Sequence, residues 1–450
     1  MAPFHRAQKL ILRAGLVIAL ASLAPNLQAD DWPQWFGPKR DGVWRESGIL
    51  RTFPEDGPVV RWRVPIGAGY SGPSVSGGKV FISDRQASTN RDRRGQRASE
   101  NPGLDRVLCL DEETGDLIWQ HSYAANYTVS YPSGPRATPA IDSQHVYTLG
   151  TEGKLFCLKE SDGTVVWEKD LKADYNSKTQ IWGHAASPLI HKEKVVVVPG
   201  GTNNTVVALD KRSGKELWRS LSTRDPGYCH PIIIEHGGKE QLIIWHPEAI
   251  NSLNPETGEV YWTISWSIRA GLTIATPRLL GDRLFLSSFY NGSTMLKLGK
   301  NPPSANILWQ SQKASERDTT ELHSIISTPI FTEEHIYGVC SYGQLRCLSS
   351  TDGKRLWETF AATTTGKPVR WATAFITPHE DRYFLFNELG ELLIANLGPE
   401  GFKEIDRTPL IDPTNSDARG RLVVWSHPAY ANQHIIVRND KEIIRVSLQE

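Results

Sequence analysis

The chain has 450 residues, with 50 Lys and Arg set against 50 Asp and Glu, so it carries no net charge at neutral pH. That balance removes any global electrostatic case for nucleic acid or an anionic membrane surface as partner. Five cysteines are too few, and odd in number, for a disulfide framework, whereas 15 Trp and 37 Gly need a place in the fold.

At the start of the chain His5, Arg6, Lys9 and Arg13 precede the apolar run Ala14 to Ala24, and Gln28-Ala29-Asp30 follows. A charged lead, a short apolar stretch and a small residue before an acidic one read as a secretory signal peptide over 1–29, cut after Ala29. The run is shorter than the ~20 residues of a spanning helix, and no cysteine marks the cleavage point for a lipid. The expected location is periplasmic or secreted, without a membrane span after cleavage. Residues 30–58 then form a lead segment, and 59–450 a repeat domain.

Val59 to Val64 reads as a strand with nothing in front of it. From there one phrase recurs at a spacing of about 50 residues, in the range of propellers and solenoids. It runs Leu-Asp-x-x-Thr-Gly-x-x-x-Trp at Leu110–Trp119, with related copies at Leu158–Trp167, Leu209–Trp218, Leu253–Trp262 and Leu348–Trp357. Trp309 closes a copy with a longer turn. A proline stands ahead of each unit: Pro73, Pro139, Pro188, Pro231, Pro277, Pro329, Pro378 and Pro428. Between proline and tryptophan lie short β-branched and aromatic runs separated by Gly, Asp and Asn, the signature of hairpins. Gly115, Gly163, Gly214, Gly258 and Gly353 suit a positive φ in the last turn. The proline fits a strand with one unpaired edge.

Four strands per unit predict an all-β, eight-bladed β-propeller of antiparallel blades, with seven blades as the alternative count because Phe402-Lys403-Glu404-Ile405 replaces the tryptophan phrase in the seventh unit. The last unit stops after three strands, at Ile443 to Leu448. The lone N-terminal strand is therefore expected to complete it and leave no open edge at the seam. Trp119, Trp167, Trp218, Trp262, Trp309 and Trp357 read as structural wedges between blades. The segment Arg85 to Arg106, rich in Arg, Asn, Ser and Gly, reads as a solvated loop. Cys109, Cys157 and Cys347 take one interior position of the third strand, and Cys340 and Cys347 lie on adjacent strands where a disulfide is an open alternative.

The repeat phrase resembles that of the PQQ-like (quinoprotein) propeller family from Val59 onward. The opening Asp31 to Gly42 and Gly69-Tyr70-Ser71-Gly72-Pro73 look like an exported, planctomycete-type subgroup. The resemblance implies a fold shared by quinoprotein alcohol dehydrogenases and by the non-catalytic BamB-like subunit of the barrel-assembly machinery, so it does not by itself choose a function. The dehydrogenases place PQQ beside a vicinal cysteine pair with Ca²⁺; this chain has no Cys-Cys and no Cys-x-x-Cys-His, and no Asp aligns to their base. Gly67 to Gly72 matches G-x-G-x-x-G, but a proline and a strand follow where a helix is required. His184, His230, His323 and His427 stand near the blade prolines at differing offsets, which argues against a metal site.

The segments leading into the innermost strands should meet at one mouth of the channel. They carry Tyr70, Arg136, Trp182, His184, Tyr228, His230, His323, Arg370, Trp371, Trp425 and His427, the candidate ligand-binding set, with no catalytic residue assigned. The expected function is an exported non-catalytic scaffold for a small-molecule, glycan or protein ligand. PQQ-dependent dehydrogenation of alcohols or sugars, with calcium, is the enzymatic alternative, and carbohydrate binding a third.

Overall fold

The computed structural model describes residues 30–87, 101–142, 144–313, 315–364 and 366–450. The signal-peptide reading over 1–29 therefore falls outside the described residues. Among those described, no helix is long and apolar enough to cross a membrane.

The repeats fold as expected into eight four-stranded antiparallel sheets. The first blade comprises Ser74–Ser76, Lys79–Ala87, Asn101–Asp111 and Leu117–Tyr127, paired in that order. The seventh, whose tryptophan phrase is missing, is complete at Ala374–His379, Arg382–Asn387, Glu391–Gly398 and Gly401–Pro409. The eighth holds Ala429–Ala431, His434–Arg438 and Glu442–Ser447, and the N-terminal strand Val60–Pro65 adds to it, from Val60 opposite Val446 to Pro65 opposite Glu442. The seam is thus a main-chain ladder between the two ends of the domain, which removes an exposed sheet edge. In every blade the first strand is innermost. These short strands adjoin one another around the channel, with Ala140–Asp142 between Ser74–Ser76 and Leu189–His191.

One device is repeated at the blade interfaces. In six of the eight blades the fourth-strand indole donates to a main-chain oxygen in the last turn of the next: Trp62 to Glu112 (2.8 Å), Trp119 to Glu160 (2.8 Å), Trp167 to Lys211 (3.0 Å), Trp218 to Pro255 (3.2 Å), Trp309 to Ser350 (3.1 Å) and Trp357 to Gly398 (2.7 Å). Trp262 differs. It bonds Gln241 Oε1 in its own blade (3.1 Å), and the last turn of the next blade, between Gly299 and Ser304, is longer than the others. The turns are held by their own polar residues, as when Asp111 Oδ1 accepts from the amides of Glu113 and Thr114. Just past the tryptophan pairing the ladder slips by one residue, between Cys109 and Leu110 and again between Cys157 and Leu158, a bulge that increases local twist.

Two sequence expectations are corrected, and one open alternative is resolved. Arg85 and Arg106 do not lie in a solvated loop. They belong to the long second and third strands of the first blade, where Arg85 pairs with Asp105 (2.9 Å) and Arg106 with Asp84. Opposite charges bring these residues into the sheet, and only the span 88–100 is outside the described residues. Pro378 does not precede its strand but sits within Ala374–His379, tolerated because an innermost strand has one free edge. Cys340 and Cys347 are unpaired, and all five cysteines are free and buried. Cys347 sits between Tyr337 and Trp357 across the sheet, as Cys157 does between Tyr147 and Trp167, where a small side chain fits between two aromatic neighbours.

The lead segment runs beneath the ring. Trp32 bridges to Val75, the Trp44 amide donates to Pro378 O (3.0 Å), and Arg40 donates to the carbonyls of Pro188 (3.4 Å) and Pro231 (3.1 Å). These contacts place Trp35 and Phe36 at the channel axis.

Candidate functional site

The channel mouth is built from a single repeat position. Three residues before the eight prolines stand Tyr70, Arg136, Ala185, Tyr228, Ile274, Ile326, Phe375 and Trp425, and all eight line one cavity of about 420 Å³. Each blade contributes one wall residue. Two positions further along, one before the proline, side chains point the same way because the strand period is two. Neighbours in this deeper layer bond across three of the blade interfaces: the Thr138 amide donates to Ser187 Oγ (2.9 Å), the Ser187 amide to His230 Nδ1 (2.9 Å) and the Thr276 amide to Thr328 Oγ1 (3.0 Å).

The floor is Trp35. Its indole stacks on His230 at 3.9 Å between ring centres and 10° between planes, and meets His427 at 4.8 Å. His230 and His427 belong to the fourth and eighth blades, so they face each other across the channel with the indole between them. Trp35 Nε1 also donates to Thr276 Oγ1 (3.1 Å). Burial, and then the neighbouring Arg40 guanidinium, hold the His230 pKa well below its ordinary value, and burial lowers that of His427 to about 4. Both rings are neutral at pH 7. His230 accepts at Nδ1, while Nδ1 of His427 lies 2.7 Å from the Pro428 carbonyl and donates to it.

Of the eleven candidates, Tyr70, Arg136, Trp182, Tyr228, His230, Trp371, Trp425 and His427 line the cavity. His184, His323 and Arg370 do not. His184 is buried behind the wall against Gly153, with its pKa lowered to about 4 by burial. His323 is enclosed and contacts the Phe289 carbonyl through Nδ1 (2.9 Å). Arg370 pairs with Glu316 (2.9 Å) and lies over the Trp371 ring at 4.8 Å. The four histidines form no ligand cluster. Among the described residues the acidic and imidazole groups close enough to share an ion are His191, Glu240 and Glu256, outside the cavity, where both carboxylates already pair with Lys192.

Sequence reasoning missed Trp35, Tyr131, Phe289, Tyr290 and Phe375, all of which line the cavity. Tyr131 and Trp371 hold left-handed backbone, at φ 55° and 69°, a conformation costing bulky residues about 1–3 kcal/mol and persisting where surroundings impose it. Tyr131 is fixed by the amide of Ala418, which donates to its hydroxyl (3.2 Å), and that amide belongs to the hairpin of Asn415–Ser416 with Leu422–Val423 above the mouth. The same hairpin sends Arg421 to Glu388, a carboxylate with no exposed surface that also accepts from Trp425 Nε1 (3.0 Å). Burial raises the Glu388 pKa to about 7.

Ten aromatic rings and two neutral imidazoles make most of the lining, with four aliphatic side chains, an alanine, a serine and one arginine. It contains no carboxylate and no thiol. Such a wall can stack and enclose an apolar body, but it offers no nucleophile with a base beside it and no oxygen ligands for a hard cation.

The sequence model of a family described as outer membrane protein assembly factor BamB matches residues 104–359. No curated protein matches the chain significantly. BamB from Moraxella catarrhalis is 14% identical with a TM-score of 0.55, over 86% of this chain and 96% of that one. The quinohemoprotein alcohol dehydrogenase of Comamonas testosteroni is 12% identical with a TM-score of 0.62, over 93% and 80%. Sqt1 of Saccharomyces cerevisiae is 10% identical with a TM-score of 0.54, over 87% and 99%. At these identities the likenesses bear on fold alone.

Proposed function

Since the chain belongs to the family described as outer membrane protein assembly factor BamB, we propose that it is an exported, non-catalytic binding propeller whose channel-mouth cavity encloses an apolar part of a ligand or partner. The observation that carries this reading is the wall itself: aromatic and aliphatic groups from all eight blades, closed below by Trp35, with no carboxylate or thiol among them. The family description favours a protein partner, and the signal-like sequence over 1–29 favours a periplasmic setting.

The fold likeness to a quinohemoprotein dehydrogenase raises PQQ and calcium as an alternative, and the residues present do not fit them. Calcium takes six to eight oxygen ligands, whereas Ser130 and the tyrosine hydroxyls are the side-chain oxygens of the lining. The cysteines are single, buried and outside the cavity. A glycan would need many more hydrogen-bonding groups than this wall offers.

The test is a titration of the mature protein with the neutral fluorophore N-phenyl-1-naphthylamine, in parallel with PQQ with and without Ca²⁺. Saturable binding of the naphthylamine, weakened about tenfold or more in Trp425→Ala, supports the reading. Folded protein that ignores the naphthylamine while binding PQQ in a Ca²⁺-dependent way overturns it.

A further inference from the structure

Among the eight wall positions three residues before the prolines, one carries a charge: Arg136, where the other blades place Tyr, Ala, Ile, Phe or Trp. Its guanidinium forms no ion pair with a described carboxylate. Nη1 donates to Gly134 O (2.7 Å) and Thr151 Oγ1 (3.5 Å), and Nη2 to the carbonyls of Ser130 (3.0 Å) and Tyr131 (2.6 Å). The Nε hydrogen is left without an acceptor among the described residues. The Tyr70 ring lies 5.0 Å away.

Several buried arginines of the blades have a carboxylate at hand, as Arg85 has Asp105 and Arg346 has Glu358; Arg438 is held by carbonyls alone, like Arg136, but lies outside the cavity lining. Carbonyl dipoles orient a guanidinium without cancelling its charge. Burial holds the Arg136 pKa below the ordinary arginine value, so the protein tolerates this cation at a cost that an incoming anion would offset. In an apolar, partly water-excluded cavity its field is weakly screened. A cationic ligand is disfavoured there, because no lining carboxylate receives it. One guanidinium matches one anionic group.

We infer that the cavity selects a monocarboxylate with an aromatic or bulky apolar body, its carboxylate at Arg136 and its body against the walls of Tyr228, Trp371, Phe375 and Trp425. This rests on the binding reading above and adds the ligand's charge. Two sources present that chemistry: a free aromatic acid, and the C-terminal residue of a polypeptide ending in an aromatic side chain.

Calorimetric titration with matched pairs tests it: 2-naphthoate against 2-naphthamide for the free acid, and N-acetylphenylalanine against its amide for a chain terminus. At least one acid should bind about tenfold or more tightly than its amide, the advantage of a charge-assisted bond, and the pair showing the preference identifies the source. Arg136→Met should bring acid and amide within about twofold, while Arg136→Lys keeps part of the preference. If Arg136→Met does not fold, the acid-to-amide ratio of the unaltered protein decides alone. Amides binding as tightly as acids overturn the inference and leave the cavity reading standing if N-phenyl-1-naphthylamine still binds. Failure of the naphthylamine and of every acid and amide overturns both.

Discussion

The indole of Trp119 lies so close to Gly163, the hairpin glycine of the neighbouring blade, that a Cβ there would stand 2.5 Å from the ring. The relation recurs around the ring. Gly115, Gly214, Gly258 and Gly353 each face the tryptophan of the preceding blade, at 2.5–3.0 Å from a built Cβ to the nearest ring atom. The glycine of the repeat phrase therefore meets two demands, a positive φ and a flat seat for the preceding blade's indole.

Gly163→Ala should accordingly destabilise by about 2–4 kcal/mol, combining the left-handed penalty with displacement of Trp119. Gly77 supplies the control. It has φ 59° and nothing within 4 Å of a built Cβ, so Gly77→Ala should cost only about 1 kcal/mol. Chemical denaturation of the two variants checks the difference. Equal costs would mean that backbone conformation alone explains the glycine.

The fold was legible because Trp, Gly and Pro mark fixed points of a repeat, and a closing strand such as Val60–Pro65 is conspicuous without a unit of its own. The cavity was legible in part. Eight of the eleven proposed residues line it, since lead-in segments must converge; a stricter count back from each proline would have found Ile274, Ile326 and Phe375 as well. The floor was not legible. Trp35 lies in a segment with no repeat partner, and its bond to Thr276 spans 241 residues of sequence. His184 and His323 misled because proximity to a proline in sequence does not fix which side of the strand a side chain takes.

The cysteines should be silent in the native protein. Burial pushes the thiols of Cys109 and Cys157 up to about 12 and that of Cys347 to about 11, and all five are buried. At pH 8 a disulfide-exchange reagent should label none in native protein and all five after denaturation. Fast labelling of one site would point to local opening of that blade.

Removing the floor should be costly and should rewet the histidines. Trp35→Ala deletes the ring stacked on His230 and is expected to lose about 3–5 kcal/mol. Water admitted to the channel relieves the burial that keeps His230 and His427 neutral. Their titration midpoints, followed by proton NMR, should then rise toward the ordinary histidine range. Unchanged midpoints would show that the blades, rather than the lead segment, seal the channel.

Glu388 links pH to the cavity wall through Trp425 and Arg421. Burial raises its folded pKa from an ordinary 4.5 to about 7, against the opposing pull of Arg421 and the Trp425 bond. A carboxyl with a raised folded pKa binds its proton more tightly folded than unfolded, so its contribution is full below pH 4.5 and is lost as pH rises through 7. Asp105, also raised by burial, to about 6, acts in the same direction over a lower window. The contribution of these two carboxyls should therefore fall from pH 5 to 7.5, while the buried histidines, held below their ordinary pKa, contribute a rise that is largely complete near pH 6.5. Above that point stability should fall, and Glu388→Gln should flatten the fall, between about 6.5 and 7.5. The amide retains an acceptor for Trp425 Nε1, and Asp417 still faces Arg421 at 3.2 Å, so the cavity should survive the substitution. Denaturant midpoints across that range decide it: a slope identical in both proteins would place the titrating group elsewhere, and a steeper one would mean that Arg421 needs the Glu388 charge more than burial opposes it.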